Sequence, residues 1–271
     1  MVKQGAAIEL PSDRSVAQQA AFIGQATAVE QARAVAEVQA AVIVAQNVPR
    51  DVVRARGEMK EACSRMALAQ RAFYRVPNRG EGPSVHLARE LARIWGNIQY
   101  GVHELRRDDE AGESEVQAFA WDVQTNTRST RTFVVPHQKM KAGQRKALVD
   151  LNDVYLNNQN VGARAVRECL FTVLPTDFTD EAQDACRSTL EHGEGEPLDE
   201  RVAKMVKAFD GIGVKVPQLE TKLDRKRGQW TAGDVASMLI AYKSIQAGDS
   251  SKDDEFPPMR VTADEIAGGA A

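Results

Sequence analysis

Ser84-Val85-His86-Leu87-Ala88-Arg89-Glu90-Leu91-Ala92-Arg93-Ile94-Trp95-Gly96-Asn97 runs directly into Ile98-Gln99-Tyr100-Gly101-Val102-His103-Glu104-Leu105, and the change of period between them decides the fold class. In the first stretch Leu87, Leu91, Ile94 and Trp95 recur at helical spacing, with Ser84 suited to an N-cap and Gly96 to a stop. In the second, Ile98, Tyr100 and Val102 point to one side and Gln99, Gly101 and His103 to the other, the alternation of a strand. Residues 116–123 and 130–135 read the same way. The short polar connection 124–129 predicts an antiparallel hairpin between them. Helices are predicted at 147–156 and 161–174, the second ended by Pro175. The basic run 137–146 between strands and helices reads as a loop.

Working outward, residues 16–46 are rich in Ala, Gln and Val, and Val35, Val38, Val42 and Ala45 make one helical stripe. Pro49 breaks that run and opens a further helix to about Phe73. So few bulky apolar residues predict helices that lie against a sheet or a neighbouring subunit. Residues 78–83 read as a loop on turn chemistry. Beyond Pro175, short helices are predicted at 179–190, 197–210, 217–224 and 231–246. Pro197 and Pro217 suit first turns, and Thr231 with Asp234 a capping box. The expected class is α+β: N-terminal helices, a three-stranded antiparallel core closed by helices, and a small helical C-terminal domain. The expected divisions are a mobile start at 1–15, a core at 16–175, a helical domain at 176–247 and an acidic disordered tail at 248–271.

The 271 residues carry a net charge of −3, unevenly spread. Residues 50–175 hold 20 basic and 15 acidic side chains, and residues 176–271 hold 12 and 19. A basic middle followed by an acidic end points to a polyanionic partner. Three cysteines without paired spacing, Cys63, Cys169 and Cys186, predict buried thiols in a reducing compartment. With no leader pattern and no apolar run of membrane-spanning length, the expected location is the cytoplasm.

The candidate site residues are the basic side chains of the compact block. His86, Arg89 and Arg93 form a ridge opposite the apolar side of the 84–95 helix. Arg128 and Arg131 flank the hairpin turn, and His137, Lys139, Lys141, Arg145 and Lys146 make the densest basic run. Arg164 and Arg167 sit one turn apart, after an amide-rich stretch, 157–160, with 161–162 read as a helix N-terminus open to phosphate. Tyr100, with Tyr74, is the preferred base-stacking ring; Phe119, Trp121 and Phe133 are assigned to the core. The four histidines lack metal-site spacing, and no glycine loop ending in Lys-Ser or Lys-Thr is present for ATP. No cofactor is therefore expected.

These phrases resemble the phage-encoded single-strand annealing proteins, the grouping of RecT, Redβ and Erf types, in the form met in actinobacterial phages and prophages. The resemblance rests on the 86–97 helix, Ala118-Phe119-Ala120-Trp121-Asp122 and the Gly162-Ala163-Arg164-Ala165-Val166-Arg167 helix, and spans about residues 28–246. It implies ATP-independent annealing of complementary DNA strands in recombination, on a β-β-β-α core with DNA along a basic groove. It further implies ring or filament homo-oligomers in the bacterial host. The C-terminal domain would contact an exonuclease or the host single-strand-binding protein. Two alternatives stand beside it: a metal-dependent nuclease using Glu104, Glu115 and Asp122, and a non-enzymatic scaffold.

Overall fold

In a computed structural model describing residues 25–76, 80–141 and 144–258, the protein is a mixed α+β molecule. It divides into two compact units, Met1–Pro49 and Arg50–Ala271. The first contributes one described helix, α1 (Gln25–Asn47), whose Val29, Val35, Val38, Ile43 and Val44 are exposed. The expected mobile start, and residues 16–24 of the expected first helix, lie outside the described residues.

The second unit opens with α2 (Val52–Cys63) and a single turn, α3 (Met66–Ala69). The helix expected from Pro49 to Phe73 is thus shorter and starts later. Asp51, not Pro49, sets its start, by accepting the Arg54 N–H at 2.9 Å. Beyond it the chain makes an unexpected hairpin, β1 (Phe73–Val76) with β2 (Gly80–Pro83). Helix α4 (Val85–Trp95) follows, with Ser84 Oγ accepting the His86 and Leu87 N–H groups and Gly96, at φ +74°, ending it. This matches the sequence reading at both ends.

Next come β3 (Ile98–Asp108), β4 (Glu113–Asp122) and β5 (Thr127–Pro136), an antiparallel sheet in the order β3-β4-β5. A small hairpin, β6 (Gln138–Lys141) with β7 (Gln144–Ala147), replaces the loop expected there. One helix, α5 (Leu151–Val173), crosses the sheet without the break predicted at 157–160. The C-terminal part is α6 (Thr176–His192), α7 (Leu198–Gly211), α8 (Val216–Leu223), α9 (Ala232–Ala247) and the single turn α10 (Lys252–Glu255). The Thr231–Asp234 capping box forms as predicted.

Three apolar clusters hold this unit together. Met59, Leu87, Leu91, Trp95, Phe178 and Leu190 form one, which Ala236 and Ile240 of α9 also join. Between α4, α5 and the sheet, Ala88, Ala92, Ala118, Ala120, Val166 and Leu170 form another, built from small residues so that the helices approach closely. Phe209, Leu219, Trp230, Met238 and Phe256 form the third. All three cysteines are buried and unbridged.

The chain expected to be disordered from Gly248 instead folds as far as Pro258. Phe256 enters the third cluster, and the buried Glu255 carboxylate lies 2.6 Å from Lys222 Nζ and 3.5 Å from Arg75 Nε. Burying that carboxylate is tolerable because two cations meet it. Residues 259–271 lie outside the described set. Among the described residues, no helix is long and apolar enough to cross a membrane.

Candidate nucleic-acid interface

The thirteen candidate side chains do not make one track. His86, Arg164 and Arg167 converge on an open cleft of about 630 Å³ between the β1–β2 hairpin, the start of α4 and the middle of α5. Its wall includes Tyr74, Glu81 and, from the chain after α9, Asp249. The Arg167 guanidinium lies over the Tyr74 ring at 4.3 Å and also reaches Glu168 at 2.8 Å. Arg164 stays exposed, its nearest carboxylate being Asp249 at 4.0 Å. Arg89 is exposed on the same helix as His86. Desolvation by its neighbours lowers the His86 pKa; the charges of Arg71 and Arg89 push the same way, against a pull from Asp249.

The other candidates are dispersed over the rest of the unit. Arg93 turns to Glu90, 2.7 Å away, and does not line the cleft. The 161–162 segment is helix interior, so its backbone donors are spent within α5 and no phosphate-binding N-terminus exists there. Arg128 and Arg131 are three residues apart on one strand and therefore lie on opposite faces of the sheet. Tyr100, cross-strand from Ala120, belongs to the helix-facing side, at 39% exposure. His137 is buried, not a surface ligand: its Nε2 lies 2.9 Å from Ser114 Oγ, and its backbone bonds Gly112 and Leu148. It fastens the base of the β6–β7 hairpin to the β3–β4 turn. On that hairpin Arg145 and Lys146 are exposed, Lys139 pairs with Asp153 at 3.3 Å, and the Lys141 side chain lies outside the described residues.

The aromatic assignment is also reversed in part. Ala118 and Ala120 face the helices, whereas Phe119 and Trp121 are half-buried on the other face of β4. Phe133 does pack against the sheet–helix cluster. Alternation was legible, but not which parity is inside.

The carboxylates suspected of metal binding are scattered. Asp122 is locked by Arg50 in a two-point ion pair at 2.6 and 2.7 Å. Glu115 lies seven residues away along β4, roughly 23 Å at the strand rise, and Glu104 accepts from Ser114 Oγ at 3.0 Å. Among the described residues no group of three His, Cys, Asp or Glu side chains is placed to share an ion. Comparison of the chain with family models, with curated proteins and with solved structures returns no match.

Proposed function

We propose that this protein binds single-stranded DNA and anneals complementary strands without nucleotide hydrolysis, acting as a homo-oligomer in phage recombination. The observation that carries the reading is the cleft, where His86, Arg164 and Arg167 meet Tyr74, with Arg71 and Arg89 close enough to act on the imidazole. A cationic groove with a ring at its wall suits a flexible polyanion bearing planar bases. Annealing needs no bond chemistry from the protein. Phosphate repulsion between strands is screened, self-structure is opened, and base stacking supplies the driving force. The resemblance in the 86–97, 118–122 and 162–167 stretches supports the same reading.

Purified protein should accelerate pairing of complementary oligonucleotides with no nucleotide present, and a rate equal to the protein-free control at low salt would sink the proposal. Arg164→Ala should flatten the salt dependence of single-strand binding by about 0.7 in the log–log slope, and adding Arg167→Ala by about 1.4 in total. Because phosphate contacts carry no base information, the loss should be the same for every sequence. An unchanged slope in folded variants would remove these arginines from the site.

A further inference from the structure

The outer face of the sheet, turned away from α5, carries groups that the cleft does not use. Register places Trp121 beside Arg128 in one cross-strand row, and Phe119 beside Gly101 in the next. His103 lies flat against the Phe119 ring, with 5.1 Å between centroids and 2° between planes. The Arg128 guanidinium stands 5.9 Å from the centre of the same ring. Gly101 makes this possible: a Cβ there would come within 3.0 Å of Phe119 Cε1, so only a bare strand leaves the ring room to lie down. Trp121 is steadied by a hydrogen bond from its Nε1 to Asn126 Oδ1 at 3.1 Å.

The arrangement reverses the usual economy of a two-layer fold. Along β4 the large rings face outward and the alanines inward, although burial favours the opposite. Arg128 has no carboxylate partner among the described residues, and His103 is exposed above the ring. Flat rings next to an uncompensated cation match the two parts of an unpaired nucleotide, a π-face and a phosphate.

We propose that this face is a nucleobase-stacking surface for single-stranded nucleic acid, distinct from the phosphate-gripping cleft. His103, Phe119 and Trp121 supply the rings and Arg128 the cation. The proposal rests on the single-strand-binding reading and adds a second point of contact to it. The cleft and this face lie on opposite sides of the layer formed by α5 and the sheet, so they engage different stretches of nucleic acid.

Trp121 supplies the readout, because Trp95 and Trp230, the other two tryptophans, are buried. Titrating the full-length protein with oligothymidylate should quench tryptophan emission, and Trp121→Phe should abolish the quench while binding persists. In parallel, Phe119→Leu with Trp121→Leu should weaken oligothymidylate binding roughly tenfold or more. The same variant should leave an abasic oligomer of equal length unaffected, whereas Arg164→Ala with Arg167→Ala weakens both. Iodouracil-bearing strands should crosslink to peptides containing residues 103, 119 or 121 in the unaltered protein, a result that holds even if the double leucine variant misfolds. A quench surviving Trp121→Phe, equal losses on base-bearing and abasic strands, or crosslinks confined to the cleft would overturn the stacking surface alone. Absence of any binding by the unaltered protein would overturn the function itself.

Discussion

At the scale of single residues, the pairing of Arg50 with Asp122 is the most consequential contact. Both side chains are almost wholly buried, and Arg50 also reaches the Gly96 carbonyl at 3.2 Å and lies 4.8 Å from the centre of the Trp95 ring. Asp122 in turn accepts the Gln124 and Thr125 N–H groups and so shapes the β4–β5 turn. Burial by itself would raise the Asp122 pKa, but the Arg50 hydrogen bonds and charge, helped by Thr125, outweigh it and hold the carboxyl below its ordinary value. A depressed carboxylate stabilises the fold above its unfolded-state pKa of about 4, and that contribution is lost as pH falls through the lower folded-state value. Asp122→Asn should therefore cost about 3–5 kcal/mol at neutral pH, where it leaves Arg50 buried and unpaired. Thermal melts of the two proteins should converge as pH falls through the lowered folded-state pKa of Asp122; a gap that stays constant with pH would show that the charge is not the cause. None of this was legible beforehand, because Arg50 and Asp122 are far apart in sequence and Asp122 was read only as a suspected metal ligand of the nuclease alternative. His137 misled for the same reason, since a histidine beside lysines reads as surface until its Ser114 partner is brought to it by the sheet.

At the scale of elements, α5 decides how close helix and sheet can lie. Gly162 faces β3, and a Cβ there would stand 2.7 Å from Val102 Cγ1 and 2.9 Å from Cγ2. Its backbone is ordinary helix, so space, not backbone freedom, is what requires glycine. Gly162→Ala should destabilise the fold by about 1–3 kcal/mol through overpacking. Val102→Ala in the same chain should recover most of that loss, which denaturant melts arranged as a double-mutant cycle would measure. Additive losses would mean that the strain lies elsewhere. The strands, their antiparallel pairing and both ends of α4 were readable from period and capping alone. The continuity of α5 was not. Its Asn-Asn-Gln-Asn run and Gly162 are weak helix formers, but Asn157 finds the Pro136 carbonyl at 3.2 Å, and Val154, Gly162 and Val166 are buried along the same helix. Tertiary packing overrides local preference there. The β1–β2 hairpin was missed because its glycine-rich second strand carries no alternation to detect.

At the scale of the whole molecule, all three buried clusters lie within Arg50–Ala271, while α1 leaves five of its bulkier apolar side chains in solvent. Deleting residues 1–49 should leave the melting temperature of the remainder within a few degrees of the full chain and convert large assemblies to small ones. Light scattering reads the second effect, and an unchanged size distribution would remove α1 from the subunit contact. The basic middle and acidic end seen in the linear sequence are partly neutralised in three dimensions, Glu255 by Arg75 and Lys222, and Asp234 by Arg225. The Glu255 contact also has a consequence for the order in which the protein is made. The Arg75 N–H bonds Ser244 Oγ at 2.8 Å, its guanidinium reaches Ser237 and Glu255, and its hairpin forms one wall of the cleft. All three partners leave the ribosome long after Arg75 does. The sheet and α5 can assemble while translation continues, but the cleft's hairpin wall is fastened only once residues 237–255 have emerged. A nascent chain stalled before residue 237 would display the arginines of the cleft on α5 without the finished groove that makes them a site.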